Sequence, residues 1–126
     1  MKIITFVASL LLGLLFLSGA IMFFFKLMPN PEFPKDSAIS HFMAAFGPTG
    51  YMTFVKVFEL LGGILIIIPK TRNFGLLCLG PVIVNIFAFH HFVAGDGIFQ
   101  PTLIVIAVLS LFLLWSERKA WAGLLR

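Results

Sequence analysis

Apolar residues run almost unbroken through four stretches of the chain. The first extends from Ile3 to Phe25. At about 1.5 Å per residue, a helix of that length reaches roughly 34 Å and can cross a bilayer. The second runs from about Tyr51 to Ile68 and is interrupted by Lys56 and Glu59. The third, Phe74 to about Ala94, contains Pro81 and Asn85, and the fourth runs from about Ile98 to Trp115. Pro69-Lys70-Thr71-Arg72-Asn73 reads as a short basic turn and Gly95-Asp96-Gly97 as a tight one. The pattern predicts four spanning helices joined by two short connections and one long one. That is an all-α, antiparallel four-helix bundle in a membrane, forming one domain over residues 1–126. The tail opens on Glu117-Arg118-Lys119 and carries Trp121, which reads as an anchor at the membrane interface.

The long connection has its own pattern. Asn30-Pro31, Phe33-Pro34 and Gly47-Pro48 punctuate it. Between the breaks, Ile39, Phe42, Met43 and Phe46 recur at helical spacing, with Asp36 or Ser37 available as a cap. This predicts a short amphipathic helix over residues 37–46, lying along the interface; the alternative is an irregular loop. The first stretch has a rival reading as a signal peptide cleaved near Ser18-Gly19-Ala20. Its apolar character continues past that point to Phe25, which favours an uncleaved span.

Composition narrows the class. Hydrophobic residues make up 60% of the 126 and charged residues 11%, with a mean hydropathy of +1.09. A soluble domain is about half apolar and about a quarter charged. Aromatic residues are mostly Phe, 16 of them against 2 Trp and 1 Tyr, which suits hydrocarbon because Phe has no polar handle. These values exclude a soluble enzyme, a nucleic-acid-binding domain and a disordered chain. The net charge of +4 comes from basic residues placed mostly at span ends. Lys2, Lys70, Arg72, Arg118, Lys119 and Arg126 fall on one side, Lys26 and Lys35 on the other. The positive-inside rule then puts both termini in the cytoplasm and the long connection outside. A lone cysteine, Cys78, excludes an intramolecular disulfide and a CxxC redox pair.

The polar residues within the spans gather toward the outer side. Measured from the outer ends, Lys56 lies roughly 8 Å deep, Glu59 roughly 12 Å, Asn85 about 13 Å, and His90 and His91 roughly 5–6 Å. Gln100 enters at the outer start of the fourth span, and the inner halves of the spans hold no ionisable side chain. Ionisable groups at such depths usually face protein or a watery cavity. Glu59 shares a helix face with Lys56, Gly62 and Gly63, and glycines there let a neighbouring helix approach closely. Thr5, Ser9 and Gly13 form a small-residue packing stripe on the first span. Lys56, Glu59, Asn85, His90, His91 and Gln100 are therefore the candidate ligand-binding residues, with Gly62 and Gly63 as packing positions. Each also has a plainer reading: Lys56–Glu59 as a structural ion pair, Asn85 as interhelical glue, at least one histidine as interfacial. Adjacent helical residues diverge by about 100°, so both histidines cannot point inward. No dense set of metal ligands or pair of haem-ligating histidines is evident, so no metal is expected. Met22, Met28, Met43 and Met52 are scattered and read as packing.

Several of these elements are similar to the DoxX-like family of small four-helix membrane proteins, over about Ile4 to Trp115. The likeness is carried by Gly50-Tyr51, by Phe58-Glu59-Leu60-Leu61-Gly62-Gly63, by Pro69-Lys70-Thr71-Arg72 with Gly75-Leu76-Leu77, and by Leu12-Gly13-Leu14 and Ser18-Gly19. The resemblance implies a bundle in the cytoplasmic (inner) membrane of a bacterium. The family is named for a subunit of a quinone-linked thiosulfate oxidoreductase, and only Glu59, Gly62 and Gly63 carry over from its pattern. Two functional expectations follow. One is a redox accessory subunit that binds quinone or a partner oxidoreductase, with Lys56, Glu59 and His90 or His91 supplying hydrogen bonds and protons. The other is a non-catalytic binder or carrier of a small lipophilic molecule. The expected partners are the lipid bilayer, a soluble or membrane oxidoreductase or further copies of the chain, and no nucleic acid.

Overall fold

The computed structural model describes residues 2–27 and 32–125. The expected break at Asn30-Pro31, Met28 and the basic Arg126 lie outside the described residues. Among those described, the ordered elements are all helical. They are α1 (Lys2–Phe24), α2 (Ala38–Phe46), α3 (Tyr51–Ile67), α4 (Arg72–Ala88), α5 (Pro101–Ser116) and α6 (Arg118–Ala122).

Local sequence sets the ends of these helices. Leu27 N–H donates to Met22 O at 2.9 Å and Lys26 N–H to Phe23 O at 3.2 Å, which closes α1. This is the hydrogen-bond pattern of a Schellman cap, whose pivot is normally glycine; here Lys26 takes the left-handed conformation with φ 53°. The Ser37 hydroxyl accepts from Ser40 N–H at 3.2 Å and starts α2. Pro101 starts α5 in its first turn, where a missing N–H costs nothing.

The four longer helices lie antiparallel to their neighbours. Gly13 of α1 meets Gly63 and Ile67 of α3, and Leu17 meets Gly63, so one chain rises as the other descends. Gly75 of α4 meets Ile66 and Gly62, while Leu79 meets Gly62. The hydroxyls of Thr5 and Ser116 lie 2.8 Å apart and join the start of α1 to the end of α5. Arg72 and Glu117 link α4 to the end of α5 at 3.3 Å. The core among them is built from Ala8, Leu12, Phe16, Ile66, Leu76, Leu79, Ile83, Ile106 and Leu113. The expected stripe on α1 is a packing surface, since Thr5 and Ser9 are buried and Gly13 touches backbone.

Several expected boundaries move. The fourth stretch becomes helical at Pro101 rather than Ile98, because Gly95 and Gly97 take positive φ and Gln100 is extended. The third begins earlier: Pro69–Thr71 forms a 3-10 turn rather than a loop and runs into α4 at Arg72. Arg72 is consequently inside the fold and buried, which corrects the expectation that the inner halves hold no ionisable group. Beyond Ala88 the helix widens into a π-helical turn, Phe89–Ala94. Trp121 of α6 is partly buried and packs against the core.

Two helical segments, Lys2–Phe24 and Pro69–Ala94, are long and apolar enough to cross a membrane. Ala38–Phe46 with Tyr51–Ile67 makes a third if taken as one bent span, with 88° between the two parts. Pro101–Ser116 is apolar but shorter.

Candidate functional site

Lys56 and Glu59 stand one turn apart on α3, a spacing that places them on one face. Lys56 Nζ lies 2.9 Å from Glu59 Oε2, and only 8% of the Glu59 side chain is exposed. The contact is close but off the direction of a hydrogen bond, so Glu59 Oε2 has an ion-pair partner and no aligned donor. The ammonium also sits over the Phe23 ring of α1, 5.8 Å from its centroid. Burying two charges is costly, and mutual attraction offsets that cost only when hydrogen bonds complete the pair. Here the attraction is present without an aligned hydrogen bond to Oε2.

The pair lines a cavity of about 330 Å³ bounded by α2, α3, α4 and the π turn. Its walls are Phe42, Met43, Tyr51, Met52, Val55, Val82, Ile86 and Phe89, and its polar lining is Lys56, Glu59, Asn85 and His90. Helix α2 roofs it. Phe42 packs edge-on to Phe89 at 5.1 Å, and Phe46 lies 4.8 Å from the Tyr51 ring. The expected amphipathic helix is thus present, turned across α3 with its aromatic side on the cavity. Met43 and Met52 are cavity wall as much as packing.

The sequence candidates divide. Glu59, Lys56, Asn85 and His90 come together around one space. Asn85, however, donates from Nδ2 to Pro81 O of its own helix at 2.9 Å. Among the described residues it makes no side-chain hydrogen bond to another helix or to Glu59. His91 is exposed, lies edge-on to Phe92 at 4.6 Å, and is not part of the cavity. Gln100 occupies the N-cap position of α5, but its amide donates back to Gly97 O at 3.0 Å and reaches the cavity only through His90. Gly62 and Gly63 sit where expected, at the contacts of α3 with α4 and α1.

Two features were not expected from the sequence. Asp96, read only as a turn residue, lies with Oδ1 2.8 Å from His90 Nδ1. That hydrogen bond is the main reason its carboxyl pKa is lowered from 3.8. The stabilisation this implies is present above the ordinary carboxylate value and is lost as pH falls from 3.8 through the lowered folded value. The signal available in the sequence was the spacing of His90 to an acidic residue across a glycine turn. The second feature is the Arg72–Glu117 pair at the far end of the helices. Among the described residues, no three His, Cys, Asp or Glu side chains gather in a way that could hold a metal ion.

No family model matches this chain. No solved structure matches it either. It is similar to the uncharacterised protein YwoB of Bacillus subtilis (strain 168), 32% identical over 76 residues, or 60% of this chain. The matched region spans about half of that relative, 48% of its length.

Proposed function

We propose that this chain is a DoxX-like membrane protein that crosses the bilayer four times and binds a lipophilic molecule with a polar head. A quinone-type ring is the favoured ligand, and a role as accessory subunit to an oxidoreductase the favoured setting. The observation that carries this reading is a buried acid–base pair, Lys56–Glu59, opening onto an apolar, aromatic cavity. Such a cavity with a few converging polar groups is the usual form of a small-molecule site. Four spans are supported by the outward faces of the two shorter helices. Phe54, Leu61 and Ile64 on α3 and Val105, Val108 and Leu111 on α5 are exposed, a surface suited to lipid. At about 25 Å these helices are short for a bilayer, a mismatch that local thinning can accommodate.

The lining suits a quinone ring. Lys56 offers a donor to a carbonyl oxygen, Glu59 and His90 offer places for a proton, and Phe42 and Phe89 offer ring faces. A bound quinone would supply the electron-accepting chemistry, while these side chains hold and orient it. A second reading, a carrier without catalysis, is favoured by a groove of about 370 Å³ between α3 and α4. It shares Tyr51, Val55, Val82 and Asn85 with the cavity and so offers a lateral route toward lipid.

Mass spectrometry of the organic extract from protein purified in mild detergent should show a retained quinone. Glu59→Gln, which keeps shape but removes charge, should lose it. A retained lipid with no redox response would favour the carrier. Wild-type protein that retains nothing, or a Glu59→Gln variant that retains as much as wild type, would end the functional reading of the pair.

The proposed topology places both termini and the Lys70 turn in the cytoplasm, with α2 on the outer surface, in a bacterial inner membrane. In a Cys78→Ser background, Glu32→Cys should be labelled from outside by a membrane-impermeant maleimide and Lys70→Cys should not. The opposite labelling pattern would invert the orientation.

A further inference from the structure

At the far end of the helices from the Lys56–Glu59 cavity, α5 closes on a second pocket. It has a volume of about 360 Å³ and is lined by Trp115, Ser116, Arg118 and Lys119. Arg118 is held in place there. Its guanidinium lies over the Trp115 ring, 4.3 Å from the centroid, and Nη1 donates to Trp115 O at 2.9 Å. A stacked guanidinium keeps a planar fork of further N–H groups, the geometry that matches a phosphate. Lys119 is exposed beside it. The positive charge at this point is unbalanced for a reason visible in the fold. The chain has five acidic residues. Glu59 pairs with Lys56, Asp96 pairs with His90, and Glu32 and Asp36 lie in the long connection before α2. Glu117, the one acid next to the two bases in sequence, is drawn to Arg72 at 3.3 Å. Among the described residues, Arg118 and Lys119 therefore have no carboxylate partner. An apolar track leads to the same pocket. Ile104, Val108, Leu111 and Trp115 recur at helical spacing along one face of α5, and all are exposed. From Ile104 to Trp115 the track is roughly 16 Å long at about 1.5 Å per residue, close to half of a hydrocarbon core of about 30 Å.

We infer that this end of α5 is a binding site for an anionic diacyl phospholipid. Arg118 and Lys119 hold the headgroup phosphate, Trp115 sits at the boundary between headgroup and chain, and one acyl chain lies along the track over a single leaflet. A zwitterionic lipid offers the same phosphate but brings its own cation, so it leaves the two bases uncompensated. Glu117 contributes by its absence: held by Arg72, it does not neutralise the bases that follow it. This inference rests on α5 lying in the bilayer, which belongs to the four-span reading proposed above. It depends neither on the ligand of the other cavity nor on which end faces the cytoplasm.

Trp121→Phe leaves Trp115 as the single tryptophan of the chain and so as a reporter at the site. In that background the full chain is reconstituted in phosphatidylcholine vesicles at low ionic strength. Lipid with brominated acyl chains, which quench indole fluorescence on contact, is then added as phosphatidylglycerol or as phosphatidylcholine. Trp115 should select phosphatidylglycerol by about tenfold, the effect expected of two bases beside an anionic headgroup. Arg118→Gln, or Lys119→Gln, should reduce that preference to less than about threefold. Lys70→Gln removes a base from the same end but outside the pocket, and should leave the preference within about twofold of the parent. All three positions are exposed, so the variants should fold, and circular dichroism checks that they do. Equal quenching by the two lipids, or a loss from Lys70→Gln as large as that from Arg118→Gln, would reduce the site to diffuse attraction and overturn the inference, with the four spans left standing. Displacement of phosphatidylglycerol by inorganic phosphate beyond that by chloride at equal ionic strength would assign the pocket to a free anion and overturn it too. Quenching by neither lipid would put Trp115 outside the hydrocarbon, and the four-span reading would fall together with this inference.

Discussion

Gly75→Ala is expected to destabilise the fold by roughly 2–3 kcal/mol, toward the upper end of the usual cost of overpacking. A Cβ built there would lie 2.5 Å from Ile66 N, 2.8 Å from Ile66 Cα and 3.0 Å from Gly62 O. All three are backbone atoms of α3, so no side chain can rotate away, and relief requires α3 and α4 to separate. Gly13→Ala meets a similar obstacle in Gly63 O at 2.7 Å. Gly19 supplies the contrast: it also lies within a helix, but a Cβ there meets nothing within 4 Å. Gly19→Ala should be neutral or stabilise by up to about 1 kcal/mol, since it removes the entropic penalty of a helical glycine. Unfolding of the three variants in one detergent gives the comparison. Equal effects at Gly75 and Gly19 would contradict the close helix contact.

Removing one member of the Lys56–Glu59 pair should cost more than removing both. Lys56→Met leaves a carboxylate buried with no cation, a change worth roughly 3 kcal/mol or more. The double variant Lys56→Met with Glu59→Met fills a similar volume with apolar groups and should return to within about 1 kcal/mol of the parent. A double-mutant cycle on thermal unfolding measures the difference. Additive losses would mean that the two charges do not depend on each other, against the 2.9 Å contact. If the pair also serves a ligand, the double variant should be stable and yet retain none. That outcome separates a stabilising role from a binding one.

The long-period features were readable because hydrocarbon solvation leaves few choices. Uninterrupted apolar runs gave the helices, and the spacing of Lys56, Glu59, Gly62 and Gly63 on one face put the acid beside its cation and the glycines at the seams. Isolated helical periodicity also located α2. Features that depend on local geometry were not readable. A π turn has no residue signature, so the rotation that sends His90 to the cavity and His91 outward could not be assigned from the adjacency of the two. Asn85 lines the same cavity as Glu59, but its amide found a nearer acceptor in Pro81 O, one turn back along its own helix. Asp96 was hidden because its partner is set by the fold of a glycine turn, with φ of 70° at Gly95 and 87° at Gly97. Arg72 was assigned to a loop because Pro69 reads as a breaker, whereas proline is well tolerated in the first turn of a helix.

Pro81 gives α4 a division of labour. Lacking an N–H, it cannot donate to the carbonyl of Leu77, and the helix loses one of its internal ties at that point. Before the proline lie Gly75 and Leu79, clamped against α3 by contacts too tight to yield. After it lie Val82, Asn85, Ile86, Phe89 and His90, which form the wall of the cavity. The missing hydrogen bond thus falls between the segment packed on α3 and the segment that walls the cavity. The residues that hold α4 against α3 and the residues that wall the cavity are therefore separate segments of one helix, so a substitution in the wall need not disturb the helix contact.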